Sequence, residues 1–269
     1  MTIQEAAAKK VLIAAHRGVA GGNVPCNSIP AFQAALRQGA DIIELDITKS
    51  RDGVLYVFHP GKEPVFLRSE TEICDLDSWQ VDAMCLHNQD LSPTQYHVPR
   101  LREVLELLRG RCYINLDKFW SCPAEIAREV RELNMQDQVL VKTMNYAENF
   151  SRVEEVAFDL PYMVVAWDED DFTEELLRRN MRYVGVEALF ASEDKPICQE
   201  HYVKGMTDRG MVMWANSIVY DYHTVLTAGH TDDIAVSTDP DYGWGWLTDR
   251  GFNIIQTDWP LALAKYLGR

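Results

Sequence analysis

The chain has 269 residues, 47% of them hydrophobic, and its 26 Lys and Arg against 41 Asp and Glu leave a formal charge of −15. Such an acidic balance excludes nucleic acid and anionic membrane surfaces as expected partners, although a local basic pocket can still hold one phosphate. No apolar run approaches the roughly 18 residues of a membrane span, and MTIQEAAAKKVLIAAHRG lacks a secretory hydrophobic region, so a cytoplasmic protein is expected unless a leader was trimmed away.

The first strand signal is VLIAA over 11–15, which stops at His16, with Arg17 and Gly18 as the loop beyond. A helix is expected over 28–38, started by Asn27-Ser28 and stopped by Gly39. In ADIIELDIT the apolar Ile43, Leu45 and Ile47 alternate with Glu44 and Asp46, so a strand over 42–47 presents both carboxylates on one face. Carboxylates buried together repel unless a cation or proton lies between them, and a hard divalent ion with oxygen ligands meets that need. Asp52-Gly53 reads as a two-residue hairpin turn, with the return arm over 54–58. In the ideal register Asp46 then faces His59 directly, which hangs the imidazole beside the carboxylates.

Residues 60–98 are polar and rich in turn formers, with Trp79, Met84 and Leu86 scattered through them, and read as an insertion. Further strands are expected over 112–117, 138–143, 162–167, 183–187, 211–216 and 252–257. Helices are expected over 101–108, 123–133, 148–157, 173–180, 197–209 and 261–267. A parallel crossover needs about a dozen residues. The link from 42–47 to 54–58 is shorter than that, so 54–58 stands outside the parallel set. Eight strands alternating with helices in a chain near the ~250 residues of a TIM barrel predict one (β/α)8 domain over 1–269, the insertion lying over its mouth. Cys26, Cys74, Cys85, Cys112, Cys122 and Cys198 show no C-x-x-C spacing and are expected as free thiols.

Active sites of such barrels gather at the C-terminal strand ends, where His16, Asp46, Asp117, Lys142, Glu187 and Asn216 all fall. Trp120, Trp214 and Trp259 lie in or just after barrel strands, and Trp214 is carried forward as a substrate-pocket candidate. His87, His97, His201, His223 and His230 read as surface or loop histidines.

HRG, the NSIPAF helix start, GADIIELDIT, the DG turn with VLYVFHP, YINLDK and IIQTDWP together resemble the glycerophosphodiester phosphodiesterases, a family of phospholipase-C-like phosphodiesterases. The resemblance spans nearly the whole chain and is densest in its first 60 residues. It implies a (β/α)8 barrel, a third acidic metal ligand at Asp117, and hydrolysis of glycerophosphodiesters to glycerol 3-phosphate and an alcohol. Two positions depart from the family pattern. Cys26 stands where Glu is usual before the Asn, and Asp117-Lys118 are adjacent where the common form is Glu, any residue, Lys.

The expected chemistry assigns Glu44, Asp46 and Asp117 to a divalent ion, Mg²⁺ or Ca²⁺ first and Mn²⁺ next, with Arg17 clamping phosphate oxygens. His16 and His59 share the general acid and base roles, without the sequence saying which is which. Lys118, Lys142, Glu187 and Trp214 join Arg17 as expected substrate contacts. Two alternatives stay open: a lysophospholipase D or phospholipase-C-like lyase on the same barrel, and a catalytically silent barrel that binds a phosphorylated ligand. The alcohol portion of the substrate and the oligomeric state are not legible.

Overall fold

The computed structural model describes residues 1–221 and 223–269. Its strands are β1 (Leu12–His16), β2 (Ile42–Lys49), β3 (Leu55–Val57), β4 (Cys85–His87), β5 (Pro93–His97), β6 (Tyr113–Asp117), β7 (Val139–Met144), β8 (Tyr162–Trp167), β9 (Tyr183–Leu189), β10 (Val212–Asn216) and β11 (Ile254–Thr257). They run in the order β1-β11-β10-β9-β8-β7-β6-β2-β3, and β1 also pairs with β2. The eight parallel strands therefore close into a barrel with helices between them, as expected.

Alternation along the strands divides the core in two. Leu12, Ala14, Ile42, Leu140, Met163, Val184, Val212, Trp214 and Ile254 form one buried cluster inside the barrel. Ile13, Ala15, Ile43, Leu45, Ile114, Val141 and their outward neighbours pack beneath the helices in a second. Higher up, the inward positions switch from apolar to charged, so the barrel interior is a hydrophobic base under a polar layer. A short helix α1 (Ile3–Ala7), capped by Thr2 and Glu5, plugs the base with Ile3, Ala6 and Ala7. Nothing in the sequence pattern announces a helix this short.

The hairpin register differs from expectation by one residue. β2 and β3 pair Ile47 with Val57, Thr48 with Tyr56 and Lys49 with Leu55, so Asp46 stands level with Phe58, whose amide donates to its carbonyl at 3.0 Å. The cause is the turn: Ser50 and Val54 close a three-residue loop with Gly53 at φ 92°, not a two-residue one. The insertion carries the β4–β5 ribbon and a small core of its own built on Tyr56, Phe58, Leu67, Ile73, Val81, Leu86 and Val98. Asn23 holds it to the loop after β1 through Gln95 and Asn88, so it sits beside the mouth.

The helix expected over 173–180 is one turn, Thr173–Leu176. Between β10 and β11 lie helical segments at Asp232–Ser237, Asp241–Gly245 and Trp246–Arg250 that the pattern did not reveal. His230 is corrected here: it is fully buried, stacked 4.0 Å from the Trp246 ring, with Nδ1 2.7 Å from the Tyr242 carbonyl and Nε2 3.2 Å from Glu193. All six cysteines are free, and among the described residues no helix is long and apolar enough to cross a membrane.

At the base, Asp41 joins β1, β2 and the last residue of the sequence: its carboxylate accepts from the Ile13 amide at 3.0 Å, Lys10 Nζ at 2.6 Å and Arg269 at 2.7 and 2.8 Å. Burial pushes its pKa up, but Arg269, Lys10 and the Ile13 amide outweigh burial and hold it below its ordinary value. A depressed carboxylate stabilises the fold above its unfolded pKa and loses that contribution as pH falls through the folded one. Asp41→Asn is expected to cost about 1–3 kcal/mol in urea unfolding at pH 7. The gap to the parent protein should shrink only below the ordinary Asp value of 3.8. A gap independent of pH down to full acid unfolding would refute the electrostatic origin.

Candidate active site

The site is assembled by strand register. Parallel pairing sets His16 level with Glu44 and Asp46 level with Asp117, so four chemistry-bearing residues occupy two successive rows of adjoining strands β1, β2 and β6. Glu44 and Asp46 are buried, and ligand oxygens of Glu44, Asp46 and Asp117 lie within 4.8 Å of one another. Burial, then Asp46 and Asp117, push the Glu44 carboxyl up to about 7 against the pull of His16 and Lys142. Asp117 stays below its ordinary value because Lys142 and Lys118 outweigh its burial. Asp46 Oδ1 is buried without a hydrogen-bond partner. Three converging oxygen donors, one without a hydrogen bond and one pushed toward protonation by burial and then by its neighbours, fit a hard divalent cation.

Arg17 crosses over these carboxylates. Its amide donates to Glu44 Oε2 at 3.0 Å, and its Nε lies 2.8 Å from Asp46 Oδ2, an ion pair lacking the angle of a hydrogen bond. Asn27 donates to the same Asp46 oxygen at 2.9 Å. Arg17, Asn27 and Lys118 all adopt left-handed backbone at φ 54°, 53° and 60°. Such conformations cost non-glycine residues of order 1–3 kcal/mol, so their recurrence around one site marks backbone held against its preference. Gly18 completes the turn at φ 78°, where a Cβ would sit 2.7 Å from the backbone of Ala31.

The two histidines are anchored differently. His16 Nδ1 lies 2.9 Å from Asp258 Oδ1, and His59 Nδ1 lies 2.7 Å from the carbonyl of Pro60. His59 Nε2 stands 3.8 Å from Asp46 Oδ1, a proximity reached beyond the end of β3 and not through hairpin register. Burial lowers the His16 pKa, but Asp258 and Glu44 reverse the effect and leave it raised. His59 is lowered, by burial first and then by Arg17 and Lys118, against Asp46.

Lys142 donates to Glu187 at 2.8 Å and lies 3.9 Å from Asp117, while Asn216 donates to the other Glu187 oxygen at 2.7 Å. Trp214 Nε1 donates to Asn216 at 3.0 Å. Lys142, Glu187 and Asn216 thus form the floor of a cavity of about 180 Å³ whose walls include Arg17, His59, Lys118, Trp120 and Tyr220. Trp214 is corrected: it is fully buried under this floor and does not line the cavity. Lys118 Nζ rests 3.4 Å from Asp117 and 5.1 Å from the Trp120 ring centre. On the other side of His16 and Arg17 opens a groove of about 720 Å³, bordered by Cys26, Trp259, Leu261 and Lys265. Burial pushes the Cys26 thiol up to about 11. Asn27 and Asp258 escaped assignment as site residues, although NSIPAF and TDWP carried the signal.

The paired imidazoles, the arginine and the clustered carboxylates thus lie at the C-terminal strand ends of a parallel eight-stranded barrel, where active sites of this fold gather. A family model described as a domain of unknown function matches residues 162–267. A glycerophosphodiester phosphodiesterase of Caldanaerobacter subterraneus is 28% identical over 147 residues, 51% of this chain and 59% of that protein. The chain thus spans about three-fifths of that relative's length. The crystal structure of a glycerophosphoryl diester phosphodiesterase from Parabacteroides distasonis aligns with TM-score 0.72 at 17% identity, over 96% of this chain and 86% of that one. An Oleispira antarctica phosphodiesterase, solved in complex with the product sn-glycerol-3-phosphate, aligns with TM-score 0.67 at 15% identity, over 97% and 98%. The chain is thus similar to glycerophosphodiester phosphodiesterases in sequence over about half of its length and in fold over nearly all of it.

The Glu44 carboxyl gives a test independent of turnover. A group whose pKa rises from 4.5 to about 7 on folding stabilises the metal-free fold below 4.5 and loses that contribution as pH climbs through 7. A cation relieves that loss, so the rise in Tm on adding Mg²⁺, Mn²⁺ or Ca²⁺ is expected to grow between pH 5 and pH 8 in differential scanning fluorimetry. A shift equal at both ends, or none, would contradict cation binding at Glu44.

Proposed function

We propose that this protein is a metal-dependent phosphodiesterase that hydrolyses glycerophosphodiesters to glycerol 3-phosphate and an alcohol. The observation that carries the reading is the meeting of His16, His59 and Arg17 with Glu44, Asp46 and Asp117 at one end of the barrel. The product held by the Oleispira phosphodiesterase, which shares this fold, supports the same substrate class.

Glu44, Asp46 and Asp117 would hold a divalent ion, Mg²⁺ or Ca²⁺ before Mn²⁺, whose charge would polarise a phosphoryl oxygen and make the attacking hydroxyl more acidic. Arg17, already drawn toward Asp46, offers its remaining donors to the phosphate oxygens as their charge grows. With Nδ1 of each histidine engaged, Nε2 is the atom left to move a proton. One imidazole takes the proton of the glycerol hydroxyl next to the phosphate. That oxygen bonds to phosphorus, the bond to the leaving alcohol breaks, and the other imidazole supplies the alcohol's proton. Water then opens the resulting cyclic ester with the roles reversed.

The narrow cavity floored by Lys142, Glu187 and Asn216 suits the glycerol arm with its hydroxyls, and the wider groove past His16 suits the alcohol. Exposed Trp259 and Leu261 on that groove favour a second reading, turnover of lysophospholipids. A panel of glycerophosphodiesters and lysophospholipids assayed with and without chelator separates the two. Chelator is expected to abolish turnover of the diesters, and Mg²⁺, Ca²⁺ or Mn²⁺ to restore it. Full activity of demonstrably metal-free protein would remove the ion from the scheme. Binding without turnover of any substrate would leave a silent phospho-ligand barrel.

Replacing His16 or His59 by Ala is expected to lower kcat by about 10²–10⁴ while leaving metal titrations nearly unchanged. The double variant should fall little further, because groups acting in one proton-transfer sequence lose their shared contribution at the first removal. A glycerophosphodiester with a nitrophenol leaving group, which needs no proton, should rescue one single variant and not the other. Rescue of both or of neither would break the division of acid and base between them.

A further inference from the structure

Behind the His16–Asp258 contact lies a buried carboxylate that the proposed mechanism does not use. Asp232 opens the helical segment between β10 and β11, a stretch with no metal-type or phosphate-type motif, and it is 2% exposed. Its Oδ1 accepts from Trp244 Nε1 at 2.7 Å and from Thr257 Oγ1 at 2.8 Å, and Ser217 Oγ stands 2.6 Å away. Its Oδ2 accepts from the backbone amide of Asp258 at 2.8 Å. Thr257 Oγ1 in turn accepts from the Trp259 amide at 2.9 Å, and the Asp232 amide donates to the Ser217 carbonyl at 2.6 Å. One side chain thus grips the chain at 257 and 258 where it leaves the barrel.

Only a carboxylate serves so many donors from so small a side chain, since it has two oxygens, about four acceptor sites and no proton of its own. Burying it is costly, and its partners offset that cost with hydrogen bonds to a charged acceptor. An apolar residue would fill the same space at lower cost if packing were the sole requirement. What the arrangement fixes is direction. The Asp258 amide points inward to Asp232, and the Asp258 side chain reaches His16 Nδ1 at 2.9 Å.

We propose that Asp232 is a positioning residue that fixes Asp258, and through it the orientation of His16, by clamping the backbone after β11. The proposal rests on the phosphodiesterase reading for its kinetic consequence and on geometry alone for the clamp. Asp232→Asn is the sharpest probe, because it keeps shape and one acceptor but sets an NH₂ against the inward-pointing Asp258 amide or against Thr257 and Trp244.

Asp232→Asn is expected to lower kcat for a glycerophosphodiester on the order of 10–100-fold, with KM changed little. Combined with Asp258→Ala it should lose little beyond Asp258→Ala alone, whereas multiplicative losses would place Asp232 outside the His16 path and overturn the proposal. Trp244→Phe removes a neighbouring donor yet leaves the Asp258 amide bond intact, so it should cost stability and little kcat. Equal kcat losses in Trp244→Phe and Asp232→Asn would mean a structural role only. Should Asp232→Asn fail to fold, hydrogen exchange in the parent protein decides: the Asp258 amide is expected among the slow-exchanging amides, and exchange at the rate of a free loop amide overturns the clamp. A parent protein that turns over no diester would remove the phosphodiesterase reading instead, and the exchange measurement would then test the clamp by itself.

Discussion

Three carboxylates facing one point inside a closed barrel are the constraint around which the rest of this structure is arranged. Alone, Glu44, Asp46 and Asp117 would repel one another in a region with little water to screen them. The protein surrounds them with Arg17, Lys118 and Lys142, and bends backbone into left-handed conformation at Arg17, Asn27 and Lys118 to do so. Even so, one Asp46 oxygen has no hydrogen-bond partner and Glu44 is pushed toward neutrality, an imbalance that a proton or a bound cation would relieve. A site built only for stability would more economically replace the cluster with apolar residues.

That residual imbalance connects the parts of the molecule. Lys142 is pinned by Glu187, Glu187 by Asn216, and Asn216 by Trp214, so a polar spine runs from the carboxylates across β7, β9 and β10 to the hydrophobic base. On the opposite side, Asp258 and Asp232 run from His16 into the helices before β11. The barrel supplies rigid strand ends, and hydrogen-bonded chains on both flanks decide where each ring and carboxylate points.

Much of this was legible in the sequence because period-two alternation is a direct record of a strand with two different faces. ADIIELDIT and VLIAAH place Glu44, Asp46 and His16 without reference to anything distant. What escaped depends on contacts between segments far apart or on short-range turn geometry. The register of β2 with β3 slipped because Gly53 takes the left-handed position of a three-residue loop, which Asp-Gly does not distinguish from a two-residue turn. His230 read as a loop residue because its partners Glu193, Tyr242 and Trp246 converge only on folding. Trp214 read as a pocket residue because its strand position places it inside the barrel, but not at which depth. Asp232 carried no signal at all, since a buried acceptor of four donors looks in sequence like any surface aspartate.

The central claim, that the carboxylate cluster and the histidines form one phosphate-handling centre, is most directly tested by anomalous diffraction from crystals soaked with Mn²⁺ and sn-glycerol 3-phosphate. The account predicts a manganese peak among Glu44, Asp46 and Asp117, with the phosphate against Arg17 and within hydrogen-bond reach of His16 and His59. Manganese bound elsewhere with this cluster vacant, or phosphate seated away from both histidines, would contradict it.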